Sequence, residues 1–143
     1  MRLQEPVSQE DFEKYYLLRW EVLRKPWDQP RSTEKDENEA TSIHVMALND
    51  ADECVGVSRL QFNSPEEAQV RFMGVHDDHQ GKGVGKKLMN YLEEKAKEKG
   101  TKKIMLQARE NAVPFYLSIG YVVVEKSFLL WGIIQHYKME KSL

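Results

Sequence analysis

The sequence predicts an α/β (α+β) fold in which helices flank a mixed, mostly antiparallel sheet. Three patterns support this prediction: an early stretch with apolar residues at helical spacing, a series of short apolar strands, and a long amphipathic helix after a glycine-rich loop. A chain of 143 residues is long enough to form one hydrophobic core without disulfides or metals. We therefore expect a single domain that covers residues 1–143.

The first helix is indicated by its start and stop signals. Ser8 followed by Asp11 resembles a capping box, in which the two residues satisfy each other's free backbone N–H groups. Apolar residues then recur at helical spacing until Pro26, which cannot continue a helix. Residues 27–42 are polar and have no apolar period, so we expect a long loop with a short helix near its end.

The middle of the chain alternates between apolar runs and turn residues. Runs at residues 43–48, 55–62 and 69–75 predict three strands that form an antiparallel meander. The longest helix follows, with one apolar face, and Gly100 is expected to end it.

The last part of the chain predicts a strand, a short helix and two closing strands. The strand covers residues 103–109, and the short helix has Asn111 as its expected N-cap and Gly120 just beyond its end. The closing strands are expected at residues 121–124 and 128–139.

Composition and charge exclude several classes of function. The chain has 21 Lys and Arg, 23 Asp and Glu and a net charge of −2, so nucleic acid is not an expected partner. The first residues lack a signal peptide, and no apolar run is long enough to span a membrane. The single cysteine, Cys54, fits a reducing compartment and has no neighbouring charge pattern that would activate it as a nucleophile. We expect a cytoplasmic protein.

The most informative segment is the glycine-rich loop Gln80-Gly81-Lys82-Gly83-Val84-Gly85, which lies between a strand and a helix start. A helix start offers free N–H groups and the positive end of the peptide dipoles, and glycines leave those donors uncovered. A P-loop would need Ser or Thr where Lys87 stands, and the glycine spacing differs from that of dinucleotide-binding folds. The loop predicts a pyrophosphate site, and a glycine-rich helix start without a ligand is the alternative.

This loop resembles the Gln/Arg-x-x-Gly-x-Gly/Ala signature of the GNAT N-acetyltransferases, in which it contacts acetyl-CoA. A weaker similarity to the ElaA-like bacterial group lies in residues 19–23, 36–44 and 132–139. A second segment is similar to the pattern that closes the cofactor site of the GNAT family: Leu106-x-Ala108, Asn111, Phe115-Tyr116 and Gly120-Tyr121.

The resemblance implies the GNAT fold and acetyl-CoA as the cofactor. It implies that main-chain groups of Met73 and Val75 pair with the pantetheine arm as an added strand would. The remaining residues that it implies for cofactor binding are Gln80, Gly81, Lys82, Gly83, Val84, Gly85, Lys86, Asn111 and Tyr116.

The resemblance also implies a catalytic acid, Tyr116, which would protonate the departing thiolate of coenzyme A. Core packing is the alternative role of this tyrosine. The general base is less clear, because Arg71 stands where some family members carry a carboxylate. Imidazole is preferred on pKa grounds and His44 is our candidate, while His76, His136, Glu37 and Glu39 stay open as alternatives. His76 and His79 bracket two aspartates, but no metal site is expected.

The acceptor is expected to be the primary amine of a small molecule, attacked directly in a ternary complex. Glu37 and Glu39 in the acidic loop would attract a cationic amine, Trp27 would stack on it, and His136 would line its pocket. A solvated loop of mixed charge is the alternative. A catalytically silent acyl-CoA-binding sensor is the second functional hypothesis, and a homodimer is an assembly that the sequence leaves open.

Overall fold

In a computed structural model that describes residues 1–143, one seven-stranded sheet carries helices on both faces. The strands lie in the spatial order β1-β2-β3-β4-β5-β7-β6. The elements are β1 (Arg2–Gln4), α1 (Gln9–Leu23), β2 (Ile43–Leu48), β3 (Cys54–Phe62), β4 (Glu67–Val75), α2 (Val84–Glu98), β5 (Lys103–Arg109), α3 (Val113–Ser118), β6 (Val122–Leu130) and β7 (Ile134–Ser142).

All neighbouring strands are antiparallel except β4 and β5. These two run parallel and pair only from Glu67 with Lys103 to Val70 with Leu106. Beyond this point each strand continues without the other, so the sheet divides and leaves one edge of β4 unpaired. The expected mixed, mostly antiparallel sheet is therefore confirmed, and its one parallel pair opens the sheet at its centre.

The two faces of the sheet carry separate cores, as the alternation of side chains along β2 shows. Val45 and Ala47 pack in the larger core, which lies under α2, whereas Met46 and Leu48 pack in the smaller core with Tyr15 of α1. Because successive strand residues point to opposite faces, α1 and α2 cover opposite sides of the sheet.

Several local predictions are confirmed. Ser8 and Asp11 form the capping box of α1, with Ser8 Oγ accepting from Asp11 N at 3.0 Å and Asp11 Oδ2 accepting from Ser8 N at 3.2 Å. The loop after α1 contains a short 3₁₀ turn near its end, Glu39–Thr41.

Two local predictions are wrong. Asn111 is not the N-cap of α3: it lies inside a 3₁₀ turn, Glu110–Ala112, which places Ala112 at the cap position. The closing strands have other bounds than expected: β6 does not end at residue 124 but continues through residues 125–127 to Leu130 by means of register shifts against β7, and β7 begins only at Ile134. Bulges let a strand absorb such polar residues without ending.

Two fully buried arginines lie beneath the long loop that follows α1. Arg59 on β3 is 0% exposed and donates to Asp36 Oδ1 and Glu39 Oε2, both at 2.5 Å. Arg19 on α1 is also 0% exposed and donates to Glu39 Oε1 at 2.9 Å and to the Glu34 carbonyl at 2.9 Å. The two carboxylates of the loop thus tie α1 to β3, and we call these four side chains the arginine–carboxylate network.

We expect Glu39→Gln to lower the free energy of unfolding by about 3–5 kcal/mol, because it removes the charge that compensates two buried guanidinium groups. Burial disfavours the Glu39 carboxylate, but the charge and hydrogen bonds of Arg19 prevail and hold its pKa below the usual 4.5. Its stabilisation is therefore complete at neutral pH and is lost as the pH falls through the lowered pKa. Urea denaturation at pH 7 and pH 3 measures both effects.

The matched control is Glu37→Gln, since Glu37 lies two residues away, is exposed, and makes no ion pair or hydrogen bond through its side chain. This variant should be within about 0.5 kcal/mol of the parent protein. Equal stability losses in both variants would contradict the network.

Candidate active site

The division of the sheet opens into a cavity of about 880 Å³. Its walls come from the end of α1, the unpaired part of β4, the start of α2, the end of β5, α3, and the strands β6 and β7. A gap of this kind, between two strands that stop pairing, lets a ligand reach main-chain groups as well as side chains.

The glycine-rich loop forms one end of this cavity. Gly81 and Gly83 have φ of +76° and +81°, a left-handed conformation that favours glycine, and a Cβ on either would point into open space. Gly83 is the N-cap of α2 and offers no side chain to its free N–H groups. The helix start therefore presents uncovered donors and the positive end of its dipole to the cavity, which suits a phosphate group.

Gly85 has a different role from the one that its position in the loop suggested. A Cβ on Gly85 would lie 3.1 Å from Cζ of the Phe115 ring, so the missing side chain permits close packing of α3 on the first turn of α2. Val84 and Lys86 also line the cavity, whereas the exposed Lys82 does not.

Gln80 holds the loop in place with its side chain. Its Nε2 atom donates to the Val75 carbonyl at 3.1 Å and to Asp77 Oδ1 at 3.3 Å. The loop is thereby attached to the end of β4.

The unpaired edge of β4 carries the two residues whose main chain was expected to pair with a ligand, Met73 and Val75, and both line the cavity. The strand bulges just before them, where the register against β3 shifts and Phe72 has φ of +56°. Gly74, between these two residues, is a packing position: a Cβ there would lie 3.2 Å from Val22 Cγ1, so α1 packs on it.

Tyr116 and Asn111 both line the cavity. The Tyr116 side chain is buried, yet its hydroxyl has no hydrogen-bond partner in the protein. Burial raises the pKa of this phenol and the nearby Arg109 charge lowers it, with burial the larger effect. The hydroxyl is therefore protonated at neutral pH and free to donate.

His136 lies on β7 in the wall of the same cavity and is buried. Its Nδ1 lies 3.0 Å from the Ile134 carbonyl, which can only accept, so Nδ1 carries the proton and Nε2 has the free lone pair. Burial lowers the pKa of this imidazole, a neighbouring Arg109 charge adds to the effect, and the Phe128 ring stacks on it at 4.3 Å. The neutral form is thus favoured.

His44 does not line the cavity, and the structure offers no role for it as a base. Its Nε2 lies 2.7 Å from the Glu39 carbonyl and its Nδ1 lies 2.8 Å from the Tyr15 hydroxyl, so both nitrogens are occupied. Burial lowers the pKa of this imidazole. His44 therefore supports the arginine–carboxylate network.

The three other residues expected around the acceptor also lie outside the cavity. Glu39 is bound to two arginines, Glu37 is exposed without a partner, and Trp27 faces Trp131 at 6.2 Å. The expected attraction of a cationic amine by these carboxylates is not supported, because the loop directs its main carboxylates, Asp36 and Glu39, to buried arginines.

Two arginines that were not predicted as site residues line the cavity: Arg24 at the end of α1 and Arg109 at the end of β5. Arg109 follows the buried Ala108 at the last position of β5. Because side chains alternate along a strand, this position could have indicated that Arg109 points away from the core. Arg24 lies next to Leu23 at the end of the helical pattern, where solvent exposure is the usual expectation for an arginine.

The chain contains no group of three or more His, Cys, Asp or Glu side chains placed to hold a metal ion. His76 instead accepts a hydrogen bond from Asp78 N at 3.2 Å, so it caps the 3₁₀ turn that precedes the loop. None of the helices has the length and apolar character required to cross a bilayer.

Comparison with known proteins gives a consistent family. The profile of the family described as acetyltransferase (GNAT) domain matches residues 7–143. YjcF of Bacillus subtilis strain 168, named as an uncharacterized N-acetyltransferase, is 34% identical over 136 residues, which are 94% of this chain and 95% of YjcF.

Solved structures share the fold at low identity. Escherichia coli ElaA superposes with a TM-score of 0.82 at 19% identity and covers 98% of each chain. An aminoglycoside 6′-N-acetyltransferase complexed with coenzyme A gives a TM-score of 0.82 at 19% identity, over 99% of this chain and 97% of its own.

The family profile over residues 7–143 and the relative that spans nearly the whole chain both indicate an acetyltransferase. The protein belongs to the GNAT acetyltransferases, which use acetyl-CoA.

Proposed function

We propose that this enzyme transfers the acetyl group of acetyl-CoA to the primary amine of a small molecule, by direct attack within a ternary complex. The observation that carries the proposal is the convergence of three features on one cavity: uncovered helix N–H groups, an unpaired strand edge and a free tyrosine hydroxyl. Acetyl-CoA supplies an activated acyl group as a thioester, and the protein has to position it and manage two protons.

The donor end of the cavity fits the pyrophosphate and the pantetheine arm. Residues 81–86 offer backbone N–H groups at the start of α2, with Lys86 as a cation beside them. The unpaired edge at Met73 and Val75 offers main-chain groups to the amides of the pantetheine arm, as an edge strand does for a peptide. Asn111, although it is not a helix cap, offers an amide in the wall of the same cavity.

Tyr116 is the proposed proton donor to the thiolate of coenzyme A. Because burial keeps the phenol protonated and no protein group competes for its hydrogen, the proton is available to a ligand in the cavity.

His136 is the proposed base, in place of His44. An attacking amine has to lose a proton, and a buried, neutral imidazole with Nε2 free can take it directly or through one water molecule. It lies in the wall formed by β7.

Direct transfer is favoured over a covalent cysteine intermediate. Cys54 does not line the cavity, and burial raises the pKa of its thiol to about 12, so it holds almost no thiolate at neutral pH. A free thiol that is not in a disulfide also supports our proposal of a cytoplasmic enzyme. The exposed apolar side chains of Val122, Val123 and Val124 support a homodimer as a further proposal.

Gly83→Val should abolish the rise in melting temperature that coenzyme A causes, because the side chain covers the helix N–H groups and strains the loop. The matched control is Gly100→Val: Gly100 has φ of +78°, close to the +81° of Gly83, and an equally open surrounding, but it lies at the other end of α2. Both variants lose similar intrinsic stability, and only Gly83→Val should lose the ligand effect. Retention of the coenzyme A shift in Gly83→Val would refute the phosphate site.

Tyr116→Phe should lower kcat by about 10²–10⁴-fold while the affinity for coenzyme A stays unchanged, since only the proton donor is removed. The release of coenzyme A from acetyl-CoA, measured with a thiol reagent against a panel of small amines, supplies kcat. Tyr91→Phe, which removes a hydroxyl bonded to Glu5 at 2.6 Å outside the cavity, is the control. A parent protein that binds coenzyme A and turns over no amine would favour the acyl-CoA sensor.

His136→Gln should lower kcat and remove the acid limb of its pH profile. In the parent enzyme kcat should fall only below a pH of about 6.5, the usual pKa of histidine, because burial shifts the pKa of His136 downward and protonation of Nε2 then ends its action as a base. If His136→Gln alters only the KM of the amine and leaves the limb in place, His136 binds the acceptor and another group is the base.

A further inference from the structure

The cavity is lined by positive charge alone. No aspartate or glutamate lines it, whereas Arg24, Arg71, Arg109 and Lys86 do. Lys86 belongs to the helix start, where the phosphate groups of the cofactor are expected. The other three cations belong to the α1 side of the sheet: Arg24 ends α1, and Arg71 and Arg109 follow Val70 and Ala108, which pack under α2.

The positive charge is not cancelled by the carboxylates behind the cavity. Four guanidinium groups surround the ring of Phe72, with Cζ atoms 4.4 to 5.5 Å from its centre. Two carboxylates bind three of them: Glu39 binds Arg19 and Arg59, and Asp36 binds Arg59 and Arg71. Two negative charges therefore pair with three of the four positive ones.

Arg24 is the member of this group without a carboxylate. Its Nε donates to the Thr33 carbonyl at 3.0 Å and its Nη1 to the Leu23 carbonyl at 3.1 Å, which leaves Nη2 without a partner in the protein. Burial lowers the pKa of this group, and repulsion from Arg109 and Arg71 adds to the effect. The nearby carboxylate of Glu34 opposes this shift, but Arg24 forms no ion pair with it or with any other carboxylate, and the two carbonyls orient the guanidinium group.

Arg109 has no hydrogen bond and no ion pair in the protein, although it is half-buried in the cavity wall. A guanidinium group removed from water without an anionic partner is rare, because the loss of hydration is costly. Burial lowers the pKa of Arg109.

The two arginines lie on the acceptor side. Ala108 packs in the core under α2, so its neighbour Arg109 belongs to the opposite face, the one covered by α1 and by Arg24 at its end. Arg109 also stands opposite His136 in the register of β5 and β7. A group bound by Arg109 would therefore lie next to the proposed base.

We propose that the acceptor is a small amine that also carries an anionic group, a carboxylate or a phosphate, which Arg109 and Arg24 bind. This inference rests on the proposed N-acetyltransferase function and reverses the sign of the acceptor charge that the acidic loop suggested. Guanidinium groups bind planar anions through paired hydrogen bonds, and such binding would place the amine of the same molecule beside His136. The bound anion would provide the negative partner with which neither arginine forms an ion pair in the protein.

Matched amines test the charge of the acceptor. Coenzyme A release is measured with β-alanine, β-alaninamide, propylamine and 2-aminoethylphosphonate, and with phenylalanine, phenylalaninamide and phenethylamine. Rates are normalised to the concentration of unprotonated amine, so that differences in amine pKa do not decide the result. In at least one of the two series, the anionic member should have a kcat/KM about ten- to a hundredfold above that of its neutral partners. Comparison of β-alanine with the phosphonate distinguishes a carboxylate from a phosphate as the natural group.

Two variants assign the preference to these arginines. Arg109→Gln and Arg24→Gln should each raise the KM of the anionic amine at least tenfold and leave the KM of acetyl-CoA unchanged, while Arg109→Lys should recover part of the loss. The control is Arg2→Gln. Arg2 lies on β1, an edge strand of the sheet, and forms an ion pair with Asp52.

The outcomes separate this inference from the proposed function. Equal or higher kcat/KM for neutral or cationic amines, spermidine included, would overturn the anionic acceptor while the acetyltransferase proposal stands. A raised KM for acetyl-CoA in Arg109→Gln would also overturn it, because Arg109 would then serve the cofactor. Lack of any coenzyme A shift in the parent protein would instead remove the proposed function itself.

Discussion

The arginine–carboxylate network is the constraint on which the surroundings of the site depend. A fully buried guanidinium group has to be paired, since an uncompensated charge in a low-dielectric interior is strongly unfavourable. Arg19 and Arg59 therefore draw Asp36 and Glu39 inward, and with them the whole loop between α1 and β2. The course of this loop, the position of His44 beneath it and the stacking around Phe72 all follow from that requirement.

The second organising feature is the short parallel pairing of β4 and β5. Four residue pairs join the strands, and beyond Val70 and Leu106 the two backbones part. The gap leaves main-chain groups free on β4 and gives a ligand access to the side chains at the end of β5, which alternate between the two faces of the sheet. One interruption in the sheet thus produces both a backbone surface suited to an acyl carrier and a side-chain surface suited to a second substrate.

Features that depend on near neighbours were predictable from the sequence, and features that depend on distant partners were not. The capping box, the glycine loop and the strand at Lys103–Arg109 are local patterns, and the structure has them as expected. The acidic loop was predicted to attract a cationic ligand, because no local pattern links its carboxylates to Arg19 and Arg59, which are about twenty residues away in the sequence. For His44 the same reason applies: a polar side chain in a strand does not reveal that both its nitrogens are occupied. The roles of individual residues toward the substrates stay predictions.

The contact between Gly85 and Phe115 limits how this protein can change over evolutionary time. With 3.1 Å between a Cβ at position 85 and the ring, even an alanine there would require Phe115, the neighbour of Tyr116, to shift by a few tenths of an ångström. The loop facing the phosphates and the segment bearing the phenol are therefore not independent modules, because they pack on each other. Variation has to enter through walls that lack this coupling, such as the strands β6 and β7, so lineages can exchange acceptors far more easily than they can exchange the acyl carrier.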